Sequence, residues 1–173
     1  MQVQLKTFCA ADKEALAALY TTADRRFLSD RLPYPYTEQD AAEWLKIVRV
    51  HDGRDGLFRA IMVDGKLVGT ISVEQKSDIF RRDAEIGFLL ETTQWSRGVM
   101  TEAVCQMCAL AFKELAIVRL TGLVYEENIA SRKVLEKNGF CLEGVMQQAV
   151  TKNDGMHNLC VYGKLKDSTM YII

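Results

Sequence analysis

Apolar and polar residues alternate through Val3-Gln4-Leu5-Lys6, a period of two that predicts a strand with Val3 and Leu5 turned inward. The period then lengthens. Ala15, Leu16, Leu19 and Tyr20 recur at helical spacing behind Asp12, a residue type that caps helix N-termini, so a first helix is expected there. The prolines of Leu32-Pro33-Tyr34-Pro35-Tyr36 stop any helix in that stretch. Thr37 is then placed to cap a second helix with apolar positions Ala41, Ala42, Trp44, Leu45 and Val48. Asp40 adds a negative charge where a helix N-terminus favours one.

The middle of the chain reads as sheet. Residues 57–63 and 67–75 are β-rich runs joined by Asp64-Gly65, a hairpin turn signal. Residues 84–91 form a further run that Glu85 interrupts. Ala84, Ile86, Phe88 and Leu90 share one face of it, and Glu85, Gly87 and Leu89 the other. After Trp95-Ser96-Arg97-Gly98 a helix is predicted from Val99, because Met100, Ala103, Val104, Met107, Ala111, Phe112 and Leu115 keep helical spacing. A strand at 118–125 follows, then a short helix at 129–137 that stops at Asn138-Gly139. A long hairpin closes the pattern, 140–151 and 156–165 around Lys152-Asn153-Asp154-Gly155. The last eight residues, 166–173, carry no pattern and are expected as a disordered tail. No repeat or linker divides the rest, so 1–165 is read as one mixed α/β domain.

Composition narrows the function more than the fold. Of 173 residues, 49% are apolar and 26% charged, the balance of an ordinary globular protein. A formal net charge of -1 gives no electrostatic reason to expect nucleic acid or an anionic membrane as partner. No apolar run approaches the ~20 residues that span a bilayer, and no signal-peptide pattern precedes the first strand; a cytoplasmic location is expected. The five cysteines are odd in number and scattered, which points away from a disulfide framework. Cys105 and Cys108 lie inside a helical pattern with no second pair and no histidine nearby. They are read as small apolar side chains of a packed helix, and no metal site is expected.

The segment richest in chemistry runs from Glu85 to Ala103. A strand leads through a turn containing Gly98 directly into a helix, which gathers unpaired N–H groups and a positive helix end in one small region suited to phosphate. Arg97 adds a cation. The same pattern is also that of a plain turn before a helix. His51 and His157 are isolated, and no serine elbow or Cys/His pattern suggests a covalent acyl-enzyme.

Three stretches stand in register along nearly the whole chain. One is Leu32-Pro33-Tyr34-Pro35-Tyr36-Thr37 followed by Ala41-Ala42-Glu43-Trp44-Leu45. The next is Ala84-Glu85-Ile86-Gly87-Phe88 through Trp95-Ser96-Arg97-Gly98-Val99-Met100-Thr101-Glu102-Ala103. The last is Glu127-Asn128-Ile129-Ala130-Ser131 through Val134-Leu135-Glu136-Lys137-Asn138-Gly139-Phe140. With the order of elements, they resemble the GCN5-related N-acetyltransferases (GNAT superfamily), and within it the ribosomal-protein N-terminal (RimJ/RimL-like) branch. The chain departs from the family's pyrophosphate loop, Gln/Arg-x-x-Gly-x-Gly/Ala, by carrying Trp95 and Met100 around the matching Gly98.

The resemblance implies a GNAT fold: a central mixed, mostly antiparallel sheet, splayed in the middle, with helices on both faces. It implies acetyl-coenzyme A as co-substrate and a primary amine as acceptor, either a protein N-terminus such as a ribosomal protein's or a small molecule. Direct attack in a ternary complex is the expected mechanism. The alternative is a non-catalytic acyl-coenzyme A sensor of the same fold. A homodimer through the terminal strands is a further expectation.

By the same resemblance, pantetheine enters between the strand of Glu85 and the strand ending at Tyr125, alongside Phe88 and Leu89. Gln94, Trp95, Ser96, Arg97, Gly98, Val99, Met100 and Thr101 wrap the pyrophosphate. Asn128 bonds the coenzyme near its thioester and Ser131 protonates the departing thiolate. Leu135 replaces a tyrosine that many members use as that acid. Read without the resemblance, Asn128 is a helix cap and Ser131 an ordinary first-turn residue.

Glu85 is the candidate base, with a solvated strand residue as the plain rival. Moving a proton from an α-amine of pKa about 7.8 to a glutamate of about 4.3 costs about 5 kcal/mol, against about 8 kcal/mol from a lysine-like amine. An α-amino acceptor is thus the lighter task for Glu85, acting through a water or with a raised pKa. Phe27, Tyr34 and Tyr36, with Trp44 nearby, are the aromatic residues expected around the acceptor, or alternatively a hydrophobic cover over the sheet edge.

Overall fold

The computed structural model describes residues 2–166. Seven strands and four helices alternate in the order β1 (Val3–Thr7), α1 (Lys13–Thr22), α2 (Glu38–His51), β2 (Gly56–Val63), β3 (Lys66–Gln75), β4 (Asp83–Leu90), α3 (Val99–Glu114), β5 (Arg119–Tyr125), α4 (Ile129–Lys137), β6 (Cys141–Lys152) and β7 (Gly155–Leu165). The sheet runs β1-β2-β3-β4-β5-β7-β6, and every neighbouring pair is antiparallel except β4 and β5. This is the mixed α/β, mostly antiparallel architecture expected. Of the two terminal strands only β1 lies at an edge; β7 sits inside the sheet and β6 takes the other edge. The expected tail lies, beyond Lys166, outside the described residues.

Strand parity assigns the two faces. Ile61, Ile71, Val73, Ala84, Ile86 and Leu120 join the main core with Ala103, Val104, Met107 and Ala111 of α3. The alternate residues Ala60 and Leu89 turn to the other face, where Leu19 of α1 packs. A helix stripe at 3–4 spacing matched to a period-two strand face is what lets α3 bury so completely. Of the cysteine pair, only Cys108 enters that core. Cys105 is exposed, three positions round the helix, which corrects the reading of both as packed side chains.

Two local expectations change in detail. Asp12 does not cap α1. It already has helical torsions at the end of a 3-10 turn, Ala10–Asp12, and its carboxylate reaches back to accept from the Cys9 N–H at 2.8 Å and from Lys6 Nζ at 2.9 Å. The β6–β7 turn is also tighter than expected. Lys152 pairs with Gly155, and only Asn153 and Asp154 bridge the strands, with φ of 48° and 61°, which asparagine and aspartate tolerate. Thr37 does cap α2 as expected: its hydroxyl accepts from the Asp40 N–H at 3.2 Å, and the Asp40 carboxylate accepts from the Thr37 N–H at 2.8 Å.

Helix α4 is seated by one close approach. Leu135 is fully buried, and a Cβ built on Gly122 of β5 would lie 2.6 Å from its Cδ1. Gly122→Ala is therefore expected to overpack this contact and cost about 1–3 kcal/mol, measured by urea unfolding. An unchanged midpoint would mean that α4 shifts freely.

Candidate active site

Strands β4 and β5 pair in parallel for only three positions, Asp83 with Arg119, Ala84 with Leu120 and Glu85 with Thr121. Beyond that they part. Residues 86–90 stay paired to β3 on their outer side, and 122–125 stay paired to β7 on theirs. The two inner edges therefore face each other with no partner strand between them, forming a wedge that widens toward Leu90 and Tyr125. Phe88 and Leu89 lie on one side of it, half-buried.

Past the wide end of the wedge, β4 runs through a 3-10 turn, Thr92–Gln94, into the head of α3. Trp95 ties the turn to the strand, its indole N–H donating to the Leu90 carbonyl at 3.1 Å, and Arg97 donates to the Gln94 side chain at 2.9 Å. Ser96 and Gly98 both have left-handed backbones, φ 59° and 79°. A Cβ on Gly98 would touch nothing within 4 Å, so glycine is there for its torsion and not for space. The result is a run of six backbone N–H groups, from Ser96 to Thr101, with no acceptor among the described residues. Such a run at a helix start is an anion-binding nest. Val99 and Met100 meet it through backbone alone, because their side chains lie in the main core, 0% and 7% exposed. The bulk of Met100 thus turns away from the surface a pyrophosphate would occupy.

Glu85 stands on the face opposite α3, level with Glu74 across β3–β4 and with Thr121 across β4–β5. With Ser72, Gln75, Lys76 and Gly87 it lines a groove of about 290 Å³. Asp83, next on this face, is fully engaged: Lys76 Nζ donates to it at 2.6 Å and Thr121 Oγ1 at 2.8 Å, and Arg119 stands beside it. The Glu85 carboxylate keeps solvent contact and has no hydrogen-bond partner among the described residues. Desolvation by the surrounding groove raises its pKa above the ordinary glutamate value; Lys76 opposes this, and Glu74 and Asp83 add to it.

At the head of α4 the Asn128 side chain accepts from the Ser131 N–H at 3.2 Å, so its carbonyl serves as the cap, while its amide N–H₂ and the Ser131 hydroxyl are without protein partners among the described residues. Tyr162 offers no substitute acid in place of the absent tyrosine. It is fully buried, donating to Glu136 at 2.7 Å and accepting from Arg132 Nε at 3.0 Å.

The three aromatic candidates separate. Phe27 stacks on Tyr125 with centroids 5.2 Å apart. Tyr34 is 69% exposed with the Arg25 guanidinium over its ring. Tyr36 is 6% exposed and packs on Tyr20 beneath the loop, its carbonyl accepting from Thr21, so it supports the loop from the core. Tyr125 and Lys152 escaped notice in the sequence. Counting by twos from Glu85's partner Thr121 would have placed the Tyr125 ring on Glu85's face. Lys152 carried no comparable signal.

The family model for the acetyltransferase (GNAT) domain matches residues 2–141. The Bacillus subtilis (strain 168) protein "Probable N-acetyltransferase YjcK" is 38% identical over 98 residues, 57% of this chain, and the match spans only 53% of that relative's length. The ribosomal-protein-serine acetyltransferase of Escherichia coli (strain K12) is 24% identical over 149 residues, 84% of this chain and 83% of that protein. The solved structure of RimL, a ribosomal L7/L12 alpha-N-protein acetyltransferase in complex with coenzyme A, shares the fold with a TM-score of 0.85 at 20% identity, over 96% of each chain.

Proposed function

Because the chain belongs to the acetyltransferase (GNAT) family, we propose that it transfers an acetyl group from acetyl-coenzyme A to a primary amine by direct attack in a ternary complex. The observation that carries this reading is the continuity of two features, the inner edges of β4 and β5 that have no partner strand past Glu85 and Thr121, and the N–H run from Ser96 to Thr101 beyond the end of β4. The edges suit the amides of a pantetheine arm, held alongside Phe88 and Leu89. The nest suits its pyrophosphate, with Arg97 supplying a countercharge. When bound, acetyl-coenzyme A supplies the activated acyl group.

The protein's part is positioning and proton management. Glu85 accepts the proton that the acceptor ammonium must lose, directly or through one water, and its raised pKa lowers the cost of that transfer. Ser131 donates to the departing thiolate, and the free amide of Asn128 orients the thioester end. The Escherichia coli relative named for ribosomal-protein serine supports a protein α-amine as acceptor, and so does the lighter proton transfer from an α-amine.

A sensor that holds acyl-coenzyme A without turnover is the second reading, favoured only by Leu135 standing fully buried where many members carry an acid. Thiol release measured over N-terminal peptides, free amines and polyamines separates the two; turnover of any amine removes the sensor. Ser131→Ala is expected to lower turnover by about 10- to 1000-fold with coenzyme affinity nearly unchanged. Lost affinity with turnover intact at saturation would make Ser131 a binding residue instead.

A further inference from the structure

The connection between α1 and α2 meets the tip of the β6–β7 hairpin over the wide end of the wedge, and a cleft of about 480 Å³ lies between them. Phe27, Leu28, Tyr125 and Val150 give it its apolar lining. Tyr125 is the last residue of β5, so the cleft opens where that strand's bare edge ends, on the same face as Glu85.

Ser29, Thr151, Lys152 and Asp30, which line the cleft, each have a protein partner. Ser29 Oγ accepts from the Arg31 N–H at 3.2 Å, and Thr151 Oγ1 donates to Met156 Sδ at 3.2 Å. Lys152 is 8% exposed, an unusual burial for a lysine, and its Nζ donates to the Leu28 carbonyl at 2.8 Å and to the Asp30 carboxylate. An ammonium held out of water is stable only when bonded in this way. The bonds cross 124 and 122 residues of sequence, so one side chain fastens the hairpin to the loop that carries Phe27. Apart from the Tyr125 hydroxyl, what remains to meet a ligand in the cleft is mainly apolar.

We propose that this cleft receives an apolar side chain borne next to the reacting amine, and that Lys152 is the positioning residue that latches the cleft in place. The proposal rests on the acetyltransferase reading and narrows its acceptor to amines with an aliphatic or aromatic group on the adjoining carbon. A charged group there would find no unpaired opposite charge, and a small polar one would leave apolar surface wet.

The test measures binding apart from turnover. Phenylalaninamide, leucinamide and serinamide are titrated by calorimetry into protein saturated with coenzyme A, which cannot react. Phenylalaninamide and leucinamide should bind at least about 10-fold more tightly than serinamide, as one buried apolar side chain allows. Lys152→Met and Phe27→Ala should bring the amides to near parity with coenzyme affinity unchanged, and Lys152→Arg should restore part of the preference. Should Lys152→Met fail to fold, Asp30→Asn, which removes a largely exposed partner, should weaken the same preference. Equal binding in the wild type overturns the cleft, and full preference in the Lys152 and Asp30 variants overturns the latch. A coenzyme affinity that falls in step with the amides also reduces Lys152 to general support. If the preference holds yet acetyl-coenzyme A acetylates no amide, the acetyltransferase reading fails while the cleft stands.

Discussion

Replacing Glu85 with glutamine is expected to lower kcat for the best acceptor by about 10²- to 10⁴-fold and to flatten the rising limb of the pH–rate profile. The change keeps the shape of the side chain and removes its charge. Because the groove raises the Glu85 pKa, the enzyme should gain activity as pH climbs through a value above the ordinary glutamate range, and the glutamine variant should lose that limb. Stability must move the other way. A carboxylic acid whose pKa is raised by folding favours the folded state while protonated, and that advantage is lost as pH rises through the raised value. The glutamine variant should consequently melt no lower than the wild type at pH 7, and any gain should vanish below about pH 4. A variant that keeps both its rate and its profile would retire Glu85 as the base.

Saturating acetyl-coenzyme A is expected to raise the melting temperature by about 5–11 °C, and Gly98→Pro to remove most of that shift. A ligand at a hundred times its dissociation constant adds about 2.7 kcal/mol to the native state, and at this chain length each kcal/mol is worth roughly 2–4 °C. Proline removes one of the six free N–H groups and is locked near φ -65°, whereas Gly98 needs +79°. It will therefore destabilise the protein without ligand as well, so Gly98→Ala is the necessary companion. Alanine meets no neighbour within 4 Å and keeps the donor, at a left-handed strain of about 1–2 kcal/mol. It should melt lower but retain the coenzyme shift. Dephospho-coenzyme A, which keeps the pyrophosphate, should still shift the wild type, and pantetheine much less. A wild type indifferent to millimolar acetyl-coenzyme A would defeat the nest.

What the sequence made legible was mostly local. The stripe from Met100 to Leu115 announced α3 because seven apolar positions obeyed one period, and Thr37 with Asp40 announced its own cap through contacts three residues apart. The hairpin at Asp64-Gly65 and the helix stop at Asn138-Gly139 rest on residues whose backbone preferences act alone. The parted strands came from family resemblance, since no run of residues encodes where two strands cease to pair.

Features that join distant segments stayed hidden for the same reason. Asp12 looked like a cap until Cys9 and Lys6 were seen to claim its carboxylate. Tyr36 read as an acceptor-site aromatic or part of a cover over the sheet edge, and only the packing of α1 against α2 shows it to be interior. Met100 departs from a motif that specifies a small residue there, and the helix phase sends its side chain inward. Lys152 read as a turn residue, and its partners lie more than a hundred positions earlier.

The three ladder pairs between β4 and β5 have one more consequence. Hydrogen bonding divides the protein into a four-stranded half, β1 to β4, and a three-stranded half, β5 to β7, stitched by a seam shorter than any other in the sheet. The core beneath α3 draws on both halves, Ala84 and Ile86 from one and Leu120 and Val124 from the other, and the short seam is where the coenzyme-free protein can breathe at least cost. A slender amide-bearing chain laid into the gap acts as a suture between them. On the acetyltransferase reading proposed above, occupancy of the wedge and rigidity of the whole molecule are one variable, and the protein is stiffest once acetyl-coenzyme A lies in the gap.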